Sequence, residues 1–398
     1  MTGNAETVSL EDLDRDPDPI LASFRANQPV AYVPSMDMWL VTRWDDIQHV
    51  EDHPELFTAA TEPSFLARTL GENMLTVDPP HHTRLKTAMV SVFQPGGTSG
   101  RFVKERLSEV CDGLIDDFVA AGQADIMETY ATAVATISLQ TVLGLDNITW
   151  QQLWGWCNGL ITDLANFEDD PELKAIGDQA KRGLGEALAE KIGQLEKAPD
   201  ESALGHFLRM EQEGRINRDE IVNNVRLMIS GGINEPRDGI GLATWALLAD
   251  DGLRDQLESE PRGWARFIEE VFRVFSPVGT VTRMATQDVA IGGVTIPEGS
   301  LVAGVLRSAN LDADHWSDPG RIDLHRREGQ HAAFALGVHR CIGEWLGRQE
   351  VRVGTRTLFE RLPGLRLQSG DELTLHGFEF RGPGSLRVEW DRSAGGLR

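Results

Sequence analysis

Cysteine is scarce in this chain of 398 residues, and what few there are stand far apart: Cys111, Cys157 and Cys341, with no C-x-x-C pair. That spacing excludes a disulfide framework and a cysteine-based zinc site. The lack of C-x-x-C-H excludes a haem attached through thioethers. Basic charge is also short, 38 Lys and Arg against 62 Asp and Glu, for a net charge of −24. Nucleic-acid binding needs a basic footprint, so a nucleic-acid partner is excluded. No apolar run reaches the roughly 18 residues of a membrane span. The N-terminal stretch MTGNAETVSLEDLDRDPDP is acidic and polar, unlike a signal peptide or membrane anchor. The expectation is a soluble cytoplasmic protein with no membrane contact. Gly183-x-Gly185 lacks a third glycine and lies in a helical run, so it is no dinucleotide fingerprint. A chain of this length usually divides into domains. Yet no Pro/Gly/Ser-rich linker or break in composition appears, and residues 1–398 read as one domain around a prosthetic group.

What is present centres on Phe334–Gly343, FALGVHRCIG. Gly337 and Gly343 allow sharp turns and close backbone approach. Cys341 falls at the mouth of a helical run, where the positive helix end favours a thiolate. A free cysteine is most often a buried structural one. A lone thiolate in a glycine-bracketed loop is also what haem iron needs when the protein gives one axial ligand. The spacing F-x-x-G-x-x-x-C-x-G, met by Phe334, Gly337, Cys341 and Gly343, resembles the cytochrome P450 family. Ala335 replaces that family's usual second-position glycine. The resemblance implies a mainly α fold with small sheets around a buried haem b. Cys341 would be the metal ligand, and Phe334, His339 and Gly343 would line the cofactor.

Further matches lie along the chain. In DPPHHTRLKTAMVSVF, Asp78 reads as a helix cap and Pro79 and Pro80 as first helical positions. His82 and Lys86 then share a helical face. The resemblance places a His and, four residues on, an Arg against the haem propionates. Here Lys86 keeps only a point charge in place of the two-pronged guanidinium. Arg283 matches a propionate-binding arginine. Glu270 and Arg273 form an E-x-x-R pair, a spacing that on most helices gives a weak surface ion pair. In the family the pair is buried and joined by a later arginine, matched by Arg326.

Residues 220–248 read as a long helix interrupted by Gly231, Gly232 and Pro236. Such residues cost roughly 1 kcal/mol per glycine and about 3 for proline inside a helix. The expectation is a helix that opens at Gly232 and makes a niche there. The resemblance makes this the oxygen-binding helix, with Asn234 at the acid position and Glu235 at the threonine position. An amide and a carboxylate can still order water and pass protons. Glu235-Pro236, with FEFRGPGSL at 378–386, resembles the bacterial P450s that remove methyl groups from methoxylated rings, such as guaiacol O-demethylases. Phe380 would then line the substrate pocket, with Val278 and Val281 at its edge and Leu164 and Phe167 in the helical lid.

Elsewhere, residues 1–28 read as a loose arm and a short helix, 29–43 as a hairpin and 44–52 as a short helix. A loop is expected at 166–174 and a hairpin over VAIGGVTIPEGSLV with its turn at Pro297–Gly299. The implied activity is insertion of one oxygen atom of O2 into a C–H bond of a small hydrophobic, methoxylated aromatic substrate, giving a phenol and formaldehyde. With no flavin or nicotinamide motif, electrons come from a ferredoxin or flavoprotein reductase. Arg84, Lys104, Arg340 and Arg348 are candidate docking cations. Alternatives are a hydrogen-peroxide-using peroxygenase, a hydroxylase of a non-aromatic substrate such as a terpene, and a non-enzymatic haem sensor or carrier.

Overall fold

The computed structural model describes residues 5–260, 262–370 and 372–392. The expected N-terminal arm thus falls partly outside the described residues, and two helices succeed it, Leu10–Arg15 and Pro17–Asn27. The chain forms two compact units. The first comprises Met1–Arg84, Glu269–Cys341 and Leu375–Arg381, and the second Leu85–Ile268, Ile342–Thr374 and Gly382–Arg398.

The first unit is organised on a five-stranded sheet. Its strands, with a separate hairpin, are β1 (Val30–Val33), β2 (Met38–Val41), β3 (Phe57–Thr58), β4 (Thr280–Ala285), β5 (Val289–Ile291), β6 (Val294–Ile296) and β7 (Leu301–Val305). The sheet order is β1-β2-β7-β4-β3, with only β2 and β7 parallel. Helix Trp44–Asp52 buries Trp44, Ile47 and Val50, three residues apart on one face, into a core with Val41, Val302, Leu306 and Trp316. Each such side chain contributes about 1.5–3 kcal/mol on leaving water. The β5–β6 hairpin turns at Gly292 and Gly293, not at Pro297–Gly299. Their φ values of 57° and 85° are those of a two-residue turn with both central residues left-handed, which glycine adopts without steric cost. Pro297–Gly299 instead leads into β7, a different sheet.

The second unit is built around helix Arg218–Ala249. The Asn217 side chain accepts from the Glu220 N–H at 2.9 Å, and Glu220 accepts from the Asn217 N–H at 2.8 Å, closing its N-terminus reciprocally. The expected opening at Gly232 does not occur: the helix runs without interruption over 32 residues with Pro236 inside it. Helices Thr132–Leu143, Trp150–Leu164 and Glu344–Arg361 pack along it. A Cβ at Gly232 would stand 3.0 Å from Leu139, and one at Gly354 3.0 Å from Ile240. This packing offsets what proline and glycine cost locally. The loop expected at 166–174 is shorter, lying between Leu164 and Pro171, where Asp170 caps the following helix. Among the described residues no helix is long and apolar enough to cross a membrane.

Candidate active site

Each unit carries its own group of candidate residues. In the first, the Cys341 N–H donates to the Phe334 carbonyl at 2.9 Å, closing the loop on itself. Ala335 and Gly337 take positive φ, 58° and 57°. A Cβ at Gly337 would stand 2.3 Å from the Glu51 carbonyl oxygen, so glycine is required there on two counts. Cys341 is exposed, whereas Cys111 and Cys157 are buried. Burial pushes the Cys111 thiol up to about 12 and the Cys157 thiol higher still. Those two behave as small apolar residues, and Cys341 alone can act as a ligand.

His339, in the same loop, is buried, and its ring centroid lies 4.3 Å from that of buried His82. Asp78 faces His339 at 3.9 Å. Burial acts to raise the Asp78 carboxyl, but the nearby His339 ring and hydrogen bonds from the Thr58 hydroxyl and the Ala59 N–H outweigh it and hold the group down near 2. Asp78 therefore does not cap with its side chain. Helix His81–Met89 starts after Pro79 and Pro80, with the Asp78 carbonyl accepting from the His82 N–H at 2.9 Å. Lys86 is half-buried one turn beyond His82. Arg283 is buried on β4; its Nη2 donates to Glu51 at 2.9 Å and its Nη1 to the Thr282 carbonyl at 2.9 Å. Burial raises the Glu51 carboxyl, and Arg283 opposes that.

Glu270, Arg273 and Arg326 come together in the interior. Arg273 grips both Glu270 oxygens, at 2.8 and 2.9 Å, and Arg326 Nε reaches Oε2 at 2.9 Å. The Asp323 N–H adds a fourth bond at 2.9 Å. Both guanidiniums lie over the Trp316 ring, at 5.3 and 5.9 Å. The remaining donors hold the carbonyls of Asn310, Ser317, Asp318, Pro319 and Arg321, and Arg326 also reaches the Glu328 carboxylate at 3.3 Å.

Of the expected substrate-contacting residues, Val278 and Phe380 pair across an isolated antiparallel bridge, and Val281 follows on β4. In the second unit, Leu164 is buried at the end of its helix and Phe167 is half-buried in the next loop. The pattern does not single out Glu379, which accepts from the Thr280 hydroxyl at 2.5 Å. Arg348, a proposed docking cation, pairs with Glu344 at 2.8 Å.

On the long helix of the second unit, Gly232 is half-buried, Asn234 is buried and Glu235 half-buried. Asn234 Nδ2 lies 3.4 Å from Asp238 Oδ2, one turn on. Arg237 Nη1 donates to Asp238 Oδ1 at 2.5 Å and Arg237 Nε to Thr132 at 3.1 Å, with the guanidinium 5.4 Å from the Trp154 ring. Burial pushes the Asp238 carboxyl up to about 6 against the pull of Arg237. A Cβ at Gly382 would collide with Asp238, so glycine lets this strand approach the acid. The i,i+4 spacing from Asn234 is the one sequence signal for Asp238. Gly343 belongs to this unit as the residue before helix Glu344–Arg361.

The donor set of the first unit suits a haem: one accessible thiol and two buried imidazoles in and beside a tight loop, with no second thiol to make a cluster. A model of the family described as "Cytochrome P450" matches residues 265–371. The chain is similar to cytochrome P450 monooxygenase PikC of Streptomyces venezuelae, 30% identical over 403 residues, covering 96% of this chain and 93% of the relative. It is also similar to vitamin D(3) 25-hydroxylase of Pseudonocardia autotrophica, 29% identical with 90% of each chain covered. Among solved structures, CalO2 superposes with a TM-score of 0.87 at 25% identity, covering 97% of this chain and all of that one.

Proposed function

The chain belongs to the cytochrome P450 family, as a monooxygenase that carries haem b, and on that premise we propose which residues serve the reaction and what it acts on. Cys341 would supply the thiolate that holds the haem, and the loop bond from its N–H to Phe334 holds the backbone that carries the sulfur. His82 and His339 would hold the propionates of the haem, and Lys86 and Arg283 would add positive charge. The haem, when bound, supplies activation of O2 so that one oxygen atom enters a substrate C–H bond.

The chain's own residues then have three tasks. The Glu270–Arg273–Arg326 cluster holds the segment that leads to the cysteine loop. Asn234 and Glu235 order water and hand on protons, the Glu235 carboxylate taking up a proton and its protonated carboxyl giving one up, and the amide as a fixed hydrogen-bonding partner. In the first unit Val278, Val281 and Phe380 offer apolar surface suited to a hydrophobic substrate, and in the second Leu164 and Phe167 are apolar candidates for the same role. Electrons come from a ferredoxin or flavoprotein partner.

The substrate we favour is a methoxylated aromatic compound that loses its methyl group by O-demethylation, giving a phenol and formaldehyde; Glu235-Pro236 and Phe380 support it. A second reading, hydroxylation of a larger polycyclic or macrocyclic compound, is favoured by relatives whose names are 6-deoxyerythronolide B hydroxylase and vitamin D(3) 25-hydroxylase.

The accessible Cys341 thiol in its closed loop is the observation that carries the proposal. The test is the absorption of the reduced, carbon monoxide-bound protein. The band characteristic of thiolate-ligated haem is expected in the wild type and absent in Cys341→Ala; its persistence in that variant refutes the assignment. A spectral screen of methoxybenzenes against steroids and macrolides, with product analysis, then decides between the substrates. Turnover with peroxide alone at the full rate would make the protein a peroxygenase.

A further inference from the structure

Glu379 is a half-buried carboxyl with no cation paired to it among the described residues. Its Oε2 accepts from the Thr280 hydroxyl, and its main-chain oxygen accepts from the Gly279 N–H at 2.8 Å. Oε1 takes no hydrogen bond among the described residues, and it is not sealed from solvent as Oε1 of Glu51 and of Glu350 are. Protein surrounds the group closely enough that burial raises its pKa to about 7, opposed only by the Thr280 bond. Glu379 nevertheless keeps part of its surface accessible. The accessible oxygen leaves room for an arriving donor.

Its neighbours give that space its character. Phe380 is the next residue and bridges Val278; Thr280, which holds the carboxyl, directly precedes Val281. The nearest guanidinium in sequence, that of Arg381, is turned to the carbonyls of Asp14 and Gly377, at 3.0 and 3.1 Å. Gly279 and Gly377 keep the backbones close: a Cβ at either would fall within 2.1 Å of a carbonyl oxygen, of Phe378 and Phe380 respectively. The carboxyl is thus held by Thr280 beside the Val278–Phe380 bridge with one oxygen unused. A desolvated carboxylate without a partner is unfavourable, and an arriving donor relieves it.

We propose that Glu379 is a specificity-determining residue that receives a protonated amine on an otherwise hydrophobic substrate. The inference rests on the monooxygenase reading above and on Phe380 and Val278 facing the substrate. It deepens that reading by adding one polar anchor to an apolar wall. Charge-assisted hydrogen bonds are the strong ones, and in a dry site they discriminate well between ligands with and without the donor.

The test uses the haem-loaded protein and three ligands sharing one aryl-alkyl skeleton, ending in a methyl, a hydroxyl or a dimethylammonium group. Affinity is measured by equilibrium dialysis, with the absorption spectrum recorded to exclude nitrogen ligation of iron. The ammonium compound is expected to bind about tenfold or more tighter than the methyl compound. In Glu379→Gln that preference falls below about twofold while the methyl compound binds as before. Thr280→Val, which frees the carboxyl without removing it, keeps the sign of the preference. Equal binding of the three ligands to the wild type, a preference that survives Glu379→Gln, or a hydroxyl compound that outbinds the ammonium one overturns the proposal. If the methyl compound still perturbs the haem spectrum in those cases, the monooxygenase reading stands. If the carbon monoxide-bound protein lacks its thiolate band, that reading fails instead.

Discussion

Removing charge from Glu270 should unfold the first unit's interior more than any other single conservative change. The carboxylate accepts four hydrogen bonds, two from Arg273, one from Arg326 and one from the Asp323 N–H. Both arginines are almost fully buried, with side-chain exposures of 1% and 6%. Glu270→Gln keeps the shape but leaves the desolvated Arg273 guanidinium without a counter-charge, while Arg326 retains Glu328 at 3.3 Å. Breaking a buried pair by neutralising one member costs about 3–5 kcal/mol. Arg326→Ala should cost less, because Arg273 and the Asp323 N–H still hold the carboxylate; its own loss falls on the carbonyls of Ser317 and Arg321. Typical domains hold roughly 5–15 kcal/mol in total, so the Gln variant should melt far below wild type and lose haem during purification. Urea titration followed by circular dichroism, together with haem content per chain, measures both effects. A Glu270→Gln variant within about 1 kcal/mol of wild type would refute the reasoning, since surface pairs of the same spacing contribute that little.

The remaining expectations are smaller. Gly337→Ala puts a methyl against the Glu51 carbonyl at a left-handed position. It should cost about 2 kcal/mol or more and reduce haem retention, and an unchanged melting temperature would count against the closeness of that loop. Asp238 titrates near 6 when folded against 3.8 when free, so between those values the folded chain holds a proton that the unfolded chain has released. Stability from this group therefore falls as pH rises through the window, by at most about 3 kcal/mol. Asp238→Asn should flatten that part of the profile, and parallel urea midpoints for the two proteins from pH 4 to 7 would contradict it.

The local pattern reached the fold where neighbours in sequence are also neighbours in space. Helix Trp44–Asp52 was legible from its apolar spacing, and the β1–β2 hairpin from its alternation. The cysteine loop was legible because its function requires fixed spacing within ten residues. For the E-x-x-R pair the spacing predicts contact but not burial; only the resemblance brought in Arg326, 53 residues further on. The Asp78 carboxylate could cap by its position, yet distant partners at Thr58 and His339 take it. The turn at Gly292–Gly293 could have been read from the two glycines, but Pro297-Glu298-Gly299 carries a competing turn signal of similar strength.

The long helix shows why the rest stayed hidden. Its glycines and proline predict a break from propensity alone, and the packed neighbours overrule it. The same packing creates the chemistry that propensity cannot see. Asp238 titrates near 6 because Gly382, 144 positions away, lacks the Cβ that would exclude the chain from its side. Glu379 lacks a cation because the guanidinium two residues on is engaged by Asp14, from the start of the chain. In each case a carboxyl's charge state is set by what a distant segment withholds, and no residue near it in sequence carries that information. Such sites therefore have to be found from burial and partner geometry, and tested by changing the segment that withholds contact. Gly382→Ala should drive the strand away from Asp238, admit water and lower that carboxyl toward its free value, flattening the same pH window as Asp238→Asn while leaving the acid in place.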